Sequence, residues 1–317
     1  MIPSTRTAFR RSNGRLAKVV ESIPTIGATD ALVRVKAVAL NWKDAAMLNS
    51  KVSWPNTLRN GIFGSELAGE IVAIGERIGD RVIALHDQLA LTGRELTFEG
   101  LGQQVEGTLT DYVSSMLAVA GLTAWNALDA YKSGVGKTVL LQGTGGVSIF
   151  ALRLAQKLGF QTIITSSSDA KLERAKELGA ESTINYKTHP QWEDEAMRLT
   201  GGSGVDLVVD QGGASTLLQS VSALGKGGRV SQVGLLTSES RGSFVPLIHM
   251  LIMKACCIQG IQVGTKSDLL AFCDFLESTK LDLGPIIDRV FDFDNTTQAI
   301  KYLTSGDIFG KVVIKIL

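Results

Sequence analysis

The stretch VLLQGTGGV opens the chemistry of this chain. An apolar run, Val139 to Leu141, enters a turn built from Gly143, Thr144, Gly145 and Gly146. Without side chains, backbone N–H groups can approach an anion that a Cβ would hold off. Behind the turn, Val147, Ala151, Leu154, Ala155 and Leu158 share one helical face. The turn therefore faces a helix N-terminus, which carries partial positive charge. Glycines also make tight turns that bind nothing. The strand before, the helix after and the second strand on time favour a pyrophosphate site.

That second strand, QTIIT, ends in Thr165, Ser166, Ser167 and Ser168. A carboxylate at this place would accept hydrogen bonds from the ribose hydroxyls of NADH. Hydroxyls followed by Lys171 suit a 2′-phosphate instead, so the expected cofactor is NADPH. A plainer alternative makes the serines a loop and Lys171 part of a solvated face. Asp169 reads as the cap of the next helix, whose apolar face is Leu172, Ala175 and Leu178.

These residues need a scaffold of a definite kind. With 317 residues the chain is too long for one ordinary core, and 44% hydrophobic residues suit a globular protein. From about Leu122 onward, short apolar runs alternate with helical patterns. The runs are TVLLQ, QTIIT, STINY, VDLVVD, GRVSQVG and CCIQGI. Continuous apolar strands separated by helices predict a parallel sheet covered on both faces, a doubly wound dinucleotide-binding domain. The first third is β-rich: ALVRVKAVAL alternates apolar and charged residues, and ELAGEIVAIG and DRVIAL follow. The tail holds a helix (SDLLAFCDFLEST), a strand (IIDRVFDF), a further helix capped near Asn295 and Thr296 and closed by Gly306, and the strand GKVVIKI. It breaks the strand–helix rhythm and is expected to return to the first domain. The expected boundaries are 1–121, 122–264 and 265–317.

Bulk properties exclude several classes. Lys plus Arg is 32 and Asp plus Glu is 31, a net charge of +1 that argues against nucleic acid held on a basic face. The run FVPLIHMLIMKACCIQGI is interrupted by Pro246, His249 and Lys254 and is too short to span a bilayer. The N-terminal residues contain no signal-like apolar core. Three late cysteines, Cys256, Cys257 and Cys273, make no disulfide framework and point to a reducing, cytoplasmic setting. His86 follows a strand, His189 precedes a proline and His249 lies in the apolar run; each reads as a packing or loop residue.

The chain resembles the medium-chain dehydrogenase/reductase superfamily, on the zinc-independent quinone oxidoreductase side. The matching motifs are VRVKAVALNWKDAAML, FGSELAGEIVAIGERIGDRV, AGLTAWNAL, LLQGTGGVSIFALRLAQKLG, ERAKELGAESTINY, GGSGVDLVVDQGG, GRVSQVG and FGKVVIKI. They run through nearly the whole chain in the family's order. The resemblance implies a GroES-like β-barrel catalytic domain, completed by the tail, with a Rossmann domain inserted. It places Thr123 by the nicotinamide, Gly143, Thr144, Gly146 and Val147 by the pyrophosphate, and Ser166, Lys171 and Tyr186 around the 2′-phosphate. It lines the nicotinamide pocket with Val233, Gly234 and Val263, and brings Lys311 to the cofactor from the tail. Asn41 and Asp44 match the NxxD active-site turn, with Lys43 between them. By the same resemblance, the last Rossmann strand pairs with its copy across a two-fold axis, so a homodimer is expected through Cys256 to Gln262.

Two departures from the family shape the expected chemistry. Zinc-dependent relatives carry Cys in the active-site turn and His in the glycine-rich segment, where this chain has NWKD and GSELAG, with Ser65 near the histidine's place. No metal is therefore expected. Relatives also carry a strand and a helix between Tyr112-Val113 and Ala120, where this chain passes almost directly across. Either a deletion opens the cleft, or a stretch is missing from the sequence.

Without a Lewis acid, a conjugated carbonyl is the natural hydride acceptor, so the expected substrate is an enone or quinone. Asn41 is expected to orient a carbonyl or the nicotinamide ribose. Lys43 is a proton donor or a solvated residue; Asp44 holds the turn or takes part in chemistry. Two alternatives stay open: a redox-neutral enzyme acting on an enone or polyketide-like substrate, and a protein that binds NADPH without turnover.

Overall fold

A computed structural model describes residues 3–23, 32–48, 58, 60–73, 81–83, 108–110, 112–114, 119–129, 134–234 and 245–316. His86 lies outside the described residues, as does most of the stretch between Val113 and Ala120. Two compact bodies are present. The first comprises Met1–Val119, Thr265–Ala271 and Ile287–Leu317; the second comprises Ala120–Gly264 and Phe272–Ile286.

In chain order the first body begins with strands β1 (Thr5–Ser12), β2 (Arg15–Ser22) and β3 (Leu32–Leu40), helix α1 (Trp42–Leu48), and strands β4 (Leu67–Ala73), β5 (Arg81–Ile83) and β6 (Tyr112–Ser114). The second body follows with α2 (Ala120–Ala127), β7 (Thr138–Leu141), α3 (Gly146–Leu158), β8 (Gln161–Ser166), α4 (Asp169–Glu177) and β9 (Ser182–Asn185). It continues through α5 (Trp192–Leu199), β10 (Val205–Asp210), α6 (Leu217–Ala223), β11 (Leu224–Gln232), α7 (Val245–Lys254) and β12 (Cys257–Gly260). The tail adds α8 (Lys266–Thr279), β13 (Ile287–Asp292), α9 (Thr296–Leu303) and β14 (Lys311–Lys315).

β3 buries Leu32, Val33, Val35, Val38 and Leu40, its alternation changing phase where the pairing with β4 shifts register between Val35 and Ala37, and it is the spine of the first sheet. β4 and β6 pair with it antiparallel. β4 takes one edge of β3; the other carries β6 at residues 32–34 and, further along, β14 at residues 37–40, also antiparallel. β13 lies parallel to β14, so the C-terminal strands belong to the first sheet. Phe9, Val38, Leu67, Leu109, Ile300 and Ile314 are among the side chains of its core.

All pairs in the second sheet are parallel, in the order β12-β11-β10-β7-β8-β9. The strand order reverses between β7 and β10, the switch point where doubly wound sheets bind ligands. Val139, Leu140 and Leu141 are fully buried, as a central strand covered on both faces requires. α3 ends where Gly159 takes the left-handed conformation, φ 82°. α2 is held by rings from the tail: Trp125 lies 5.6 Å from Phe272 and 5.0 Å from Phe275 between centroids. That packing is why Phe272–Ile286 clusters with the second body.

α4 differs from its sequence reading. The cap position is Ser168, and Asp169 is the first helical residue. Ser168 takes the extended conformation of an N-cap but makes no side-chain cap bond, and the Asp169 carboxylate is bonded elsewhere: its Oδ1 accepts from Asn185 Nδ2 at 2.7 Å.

Candidate active site

In the first body, α1 starts immediately after β3, and its first turn is fastened from both sides. The Asn41 N–H donates to Asp44 Oδ2 at 2.9 Å, and the Asp44 N–H donates to Asn41 O at 3.0 Å. The NxxD spacing thus supplies one half of a capping box, the carboxylate reaching back to the N-cap N–H, while the Asn41 side chain is left for other partners. Asp44 is fully buried. Burial pushes its carboxyl above the usual range, opposed by the Lys43 ammonium and the Asn41 N–H.

The Asn41 side chain is bonded at both ends. Its Oδ1 accepts from Lys311 Nζ at 2.8 Å, and its Nδ2 donates to Glu66 Oε2 at 3.1 Å and to Ser65 Oγ at 3.3 Å. Lys311 Nζ donates three times, to Leu40 O at 3.0 Å, to Asn41 Oδ1 and to Glu66 Oε2 at 2.7 Å. Glu66 Oε1 accepts from the Val119 N–H at 3.3 Å. β3, α1, β4 and β14 thereby converge on one buried ion pair. Lys43 lies half-buried beside Asp44; burial lowers its ammonium to about 8, with Asp44 opposing that shift. A lysine so placed is protonated at neutral pH and gives up its proton far more readily than a solvated one.

The second body holds the glycine turn. Gly143 takes φ 72°, and a Cβ built on Gly143 or Gly145 meets nothing within 4 Å. Gly145 is the N-cap of α3 and makes no side-chain cap bond. Ser148 Oγ donates to Gln142 O at 2.6 Å. The backbone donors of the first turn, Gly146 and Val147 among them, therefore lack an intrahelical acceptor beside open space, which fits a pyrophosphate. Thr144 is buried, and the Gly143 N–H donates to Thr165 Oγ1 at 3.3 Å.

Behind the turn, the buried Asp210 carboxylate joins several loops. It accepts from Gln142 Nε2 (3.2 Å), Ser220 Oγ (2.5 Å), Thr216 Oγ1 (2.9 Å), Gln232 Nε2 (3.1 Å) and the Gly213 N–H (2.9 Å). Its carbonyl accepts the N–H groups of Val233 and Gly234. A Cβ on Gly234 would stand 2.2 Å from Gln211 O. Thr123 is buried in α2, and Val263, at φ 38°, offers its carbonyl to Asn126 Nδ2 at 2.7 Å.

Ser166, Lys171 and Tyr186 fall at the carboxyl ends of neighbouring strands β8 and β9 and in the first turn of α4. Ser166 is buried, and its Oγ accepts the Ser168 N–H at 3.4 Å. Tyr186 is exposed, and its N–H donates to Ser166 O at 3.1 Å. The structure thus brings Asn41, Asp44 and Lys311 into one cluster with Ser65 and Glu66. In the second body the glycine turn after β7, with Val233 and Gly234 bonded to the end of β10, lies at the switch point, whereas Tyr186 follows β9 and Val263 follows β12, the two edge strands. Glu66 and Asp210 do not stand out in the sequence. The available signal is a carboxylate in an otherwise apolar stretch, FGSELAG and VDLVVD.

Two family profiles match the chain: an alcohol dehydrogenase GroES-like domain over residues 27–119 and a zinc-binding dehydrogenase over residues 146–278. A zinc-type alcohol dehydrogenase-like protein of Schizosaccharomyces pombe is 35% identical over 90% of this chain and 91% of its own length. A Sinorhizobium meliloti crystal structure described as an alcohol dehydrogenase shares 31% identity, full coverage of both chains and a TM-score of 0.86. A phenolphthiocerol/phthiocerol polyketide synthase polypeptide of Mycobacterium tuberculosis is 28% identical over 90% of this chain, which spans 13% of that protein. The chain belongs to the medium-chain dehydrogenase/reductase superfamily of oxidoreductases, with a GroES-like domain and a Rossmann domain.

The zinc in those family names can be tested against the donors present. Zinc takes thiolate, imidazole and carboxylate ligands. The turn here offers an amide, a hydroxyl and two carboxylates; Glu66 is paired with an ammonium, and Asp44 accepts the Asn41 N–H. Among the described residues, no group of three or more His, Cys, Asp or Glu side chains could hold a metal. Cys256, Cys257 and Cys273 all lie in the second body and are free thiols. The described residues do not fit a zinc ion.

Proposed function

We propose that the protein is an NADPH-dependent, zinc-independent reductase of α,β-unsaturated carbonyls or quinones. The observation that carries the reading is the first-body cluster. It offers a proton from Lys43 at a pKa of about 8 and an ammonium in place of a metal donor set. When bound, NADPH supplies a hydride to the β-carbon of the acceptor and leaves as NADP⁺. Lys43 supplies the proton that completes the reduction, at the α-carbon or the oxygen, and is reprotonated by solvent. Asp44 and the Glu66–Lys311 pair position the turn that carries Lys43; Asn41, engaged at both ends of its amide, also acts in positioning. The open glycine turn and the hydroxyls of β8 support the dinucleotide assignment, with Ser166, Lys171 and Tyr186 toward the 2′-phosphate. Thr123, Val233, Gly234 and Val263 line the nicotinamide side.

The match to a polyketide synthase stretch supports an enone-like substrate and also favours the redox-neutral alternative. NADPH absorbance at 340 nm, followed with a panel of enones and quinones, separates them. Oxidation coupled one-to-one to product supports the reductase. Product without oxidation supports the redox-neutral enzyme, and binding without turnover a non-catalytic protein.

The assembly we propose is a homodimer through β12, in a cytoplasmic, reducing setting. β12 is the edge of the second sheet and is paired on one side with β11. Beside it in sequence, α7 exposes Val245, Ile248, Ile252 and Met253. No helix among the described residues is long and apolar enough to cross a membrane.

A further inference from the structure

We infer that Asn185 sets cofactor choice by holding the Asp169 carboxylate away from the adenosine ribose, an inference that rests on the NADPH reading above. Asp169 is the only acidic residue between Gln161 and Leu172, and it is exposed at the end of β8, where a free carboxylate would accept ribose hydroxyls. Its Oδ1 accepts from Asn185 Nδ2 at 2.7 Å, which ties the side chain to the end of β9.

Asn185 is well suited to this role. It is buried at the end of β9, in register with Ser166. Its amide orientation is fixed by its other end, because Oδ1 accepts the Lys187 N–H at 2.9 Å and leaves Nδ2 for Asp169. Its backbone carbonyl accepts from the His189 N–H at 2.9 Å and from Thr188 Oγ1 at 3.1 Å, which ties the loop after β9 to the same residue. Released, the carboxylate would do two things at once. It would accept the 2′-hydroxyl of NADH and repel the 2′-phosphate of NADPH, and specificity is the difference between those two affinities.

The test is a titration of the purified chain with NADPH and NADH, using wild type, Asn185→Ala, Asp169→Asn and the double variant, each first shown to melt cooperatively. Wild type is expected to prefer NADPH. Asn185→Ala should cut the Kd ratio of NADH to NADPH about tenfold, the size of one charge-assisted hydrogen bond. Asp169→Asn should keep the preference, and adding it to Asn185→Ala should restore it. If Asn185→Ala does not fold, Asn185→Ser, too short to reach Asp169, carries the same expectation. A purely structural role would weaken both cofactors equally and leave the ratio unchanged; that outcome, or a double variant that fails to recover, overturns the inference while the NADPH reading stands. A wild-type chain without NADPH preference overturns both.

Discussion

Lys311 Nζ stands 2.7 Å from Glu66 Oε2, and the two residues are 245 positions apart in sequence. The pair is nearly dry, with side chains 6% and 14% exposed. It ties the last strand of the chain to the entry of β4 and, through Asn41, to the start of α1. Removing one partner of such a pair strands the other charge, which costs about 3–5 kcal/mol. Glu66→Gln and Lys311→Met should each lower stability by roughly that amount in urea unfolding. The double variant should lose markedly less than the sum, because neither charge is then stranded. Additive losses would mean that the pair is not coupled.

Lys43 should impose an alkaline limb on activity. Its ammonium is held at about 8, down from 10.5, so kcat/KM should fall as pH rises through about 8. Lys43→Met should abolish that limb and cut turnover about 100-fold or more while leaving NADPH affinity in place. The stability effect has the opposite sign. Between pH 8 and 10.5 the unfolded lysine binds a proton that the folded one does not, so Lys43 makes the fold more stable as pH rises across that window. A wild-type rate profile that stays flat to pH 10 in the chemical step would remove Lys43 from the mechanism.

Asp44 separates charge from shape. Its carboxyl is raised from 3.8 by burial, so the folded state favours the protonated form. That stability is fully present below pH 3.8 and is lost as pH rises through the folded value. Asp44→Asn keeps an oxygen for the Asn41 N–H and removes the buried charge. It should hold or raise the melting temperature at pH 7, whereas Asp44→Ala should lose about 1 kcal/mol or more with the cap. Because Asp44 also props up the Lys43 ammonium, Asp44→Asn should move the alkaline limb of activity to lower pH.

The parallel sheet is legible because each of its six strands is an apolar run of its own between helical patterns, and burial on both faces demands that composition. The glycine turn is legible for the same local reason. The first-body cluster is not. Asn41 and Asp44 announce a turn, but nothing local to GKVVIKI shows that Leu40, Asn41 and Glu66 accept three hydrogen bonds from Lys311. Asp169 reads as a cap although Ser168 takes the cap position, and only the fold brings Asn185 to within 2.7 Å of its carboxylate.

The exposed face of α7 and the edge of β12 predict a self-association that mutation can dissolve. Ile252 is 72% exposed, beside Ile248 on the same helical face. Placing Asp at Ile248 and Ile252 should turn a dimer into a monomer in light scattering after gel filtration, with the melting transition retained. A wild-type chain that elutes as a monomer at tens of micromolar removes the proposed interface.

Two glycines should fail in different ways. Gly145 has φ −81°, which any residue adopts, and a Cβ there points into open space. Gly145→Ala should therefore leave the melting temperature of the free chain nearly unchanged. The methyl would fill the place assigned to the pyrophosphate and weaken NADPH about tenfold or more, about 1.4 kcal/mol in binding. At Gly234 the added Cβ would meet Gln211 O at 2.2 Å, a backbone atom that cannot step aside cheaply. Gly234→Ala should cost about 1–3 kcal/mol of stability through overpacking before any cofactor is added. Thermal melts with and without NADPH read both effects on the same samples. If Gly145→Ala binds NADPH as wild type does, the turn is a tight corner of the fold and the pyrophosphate lies elsewhere.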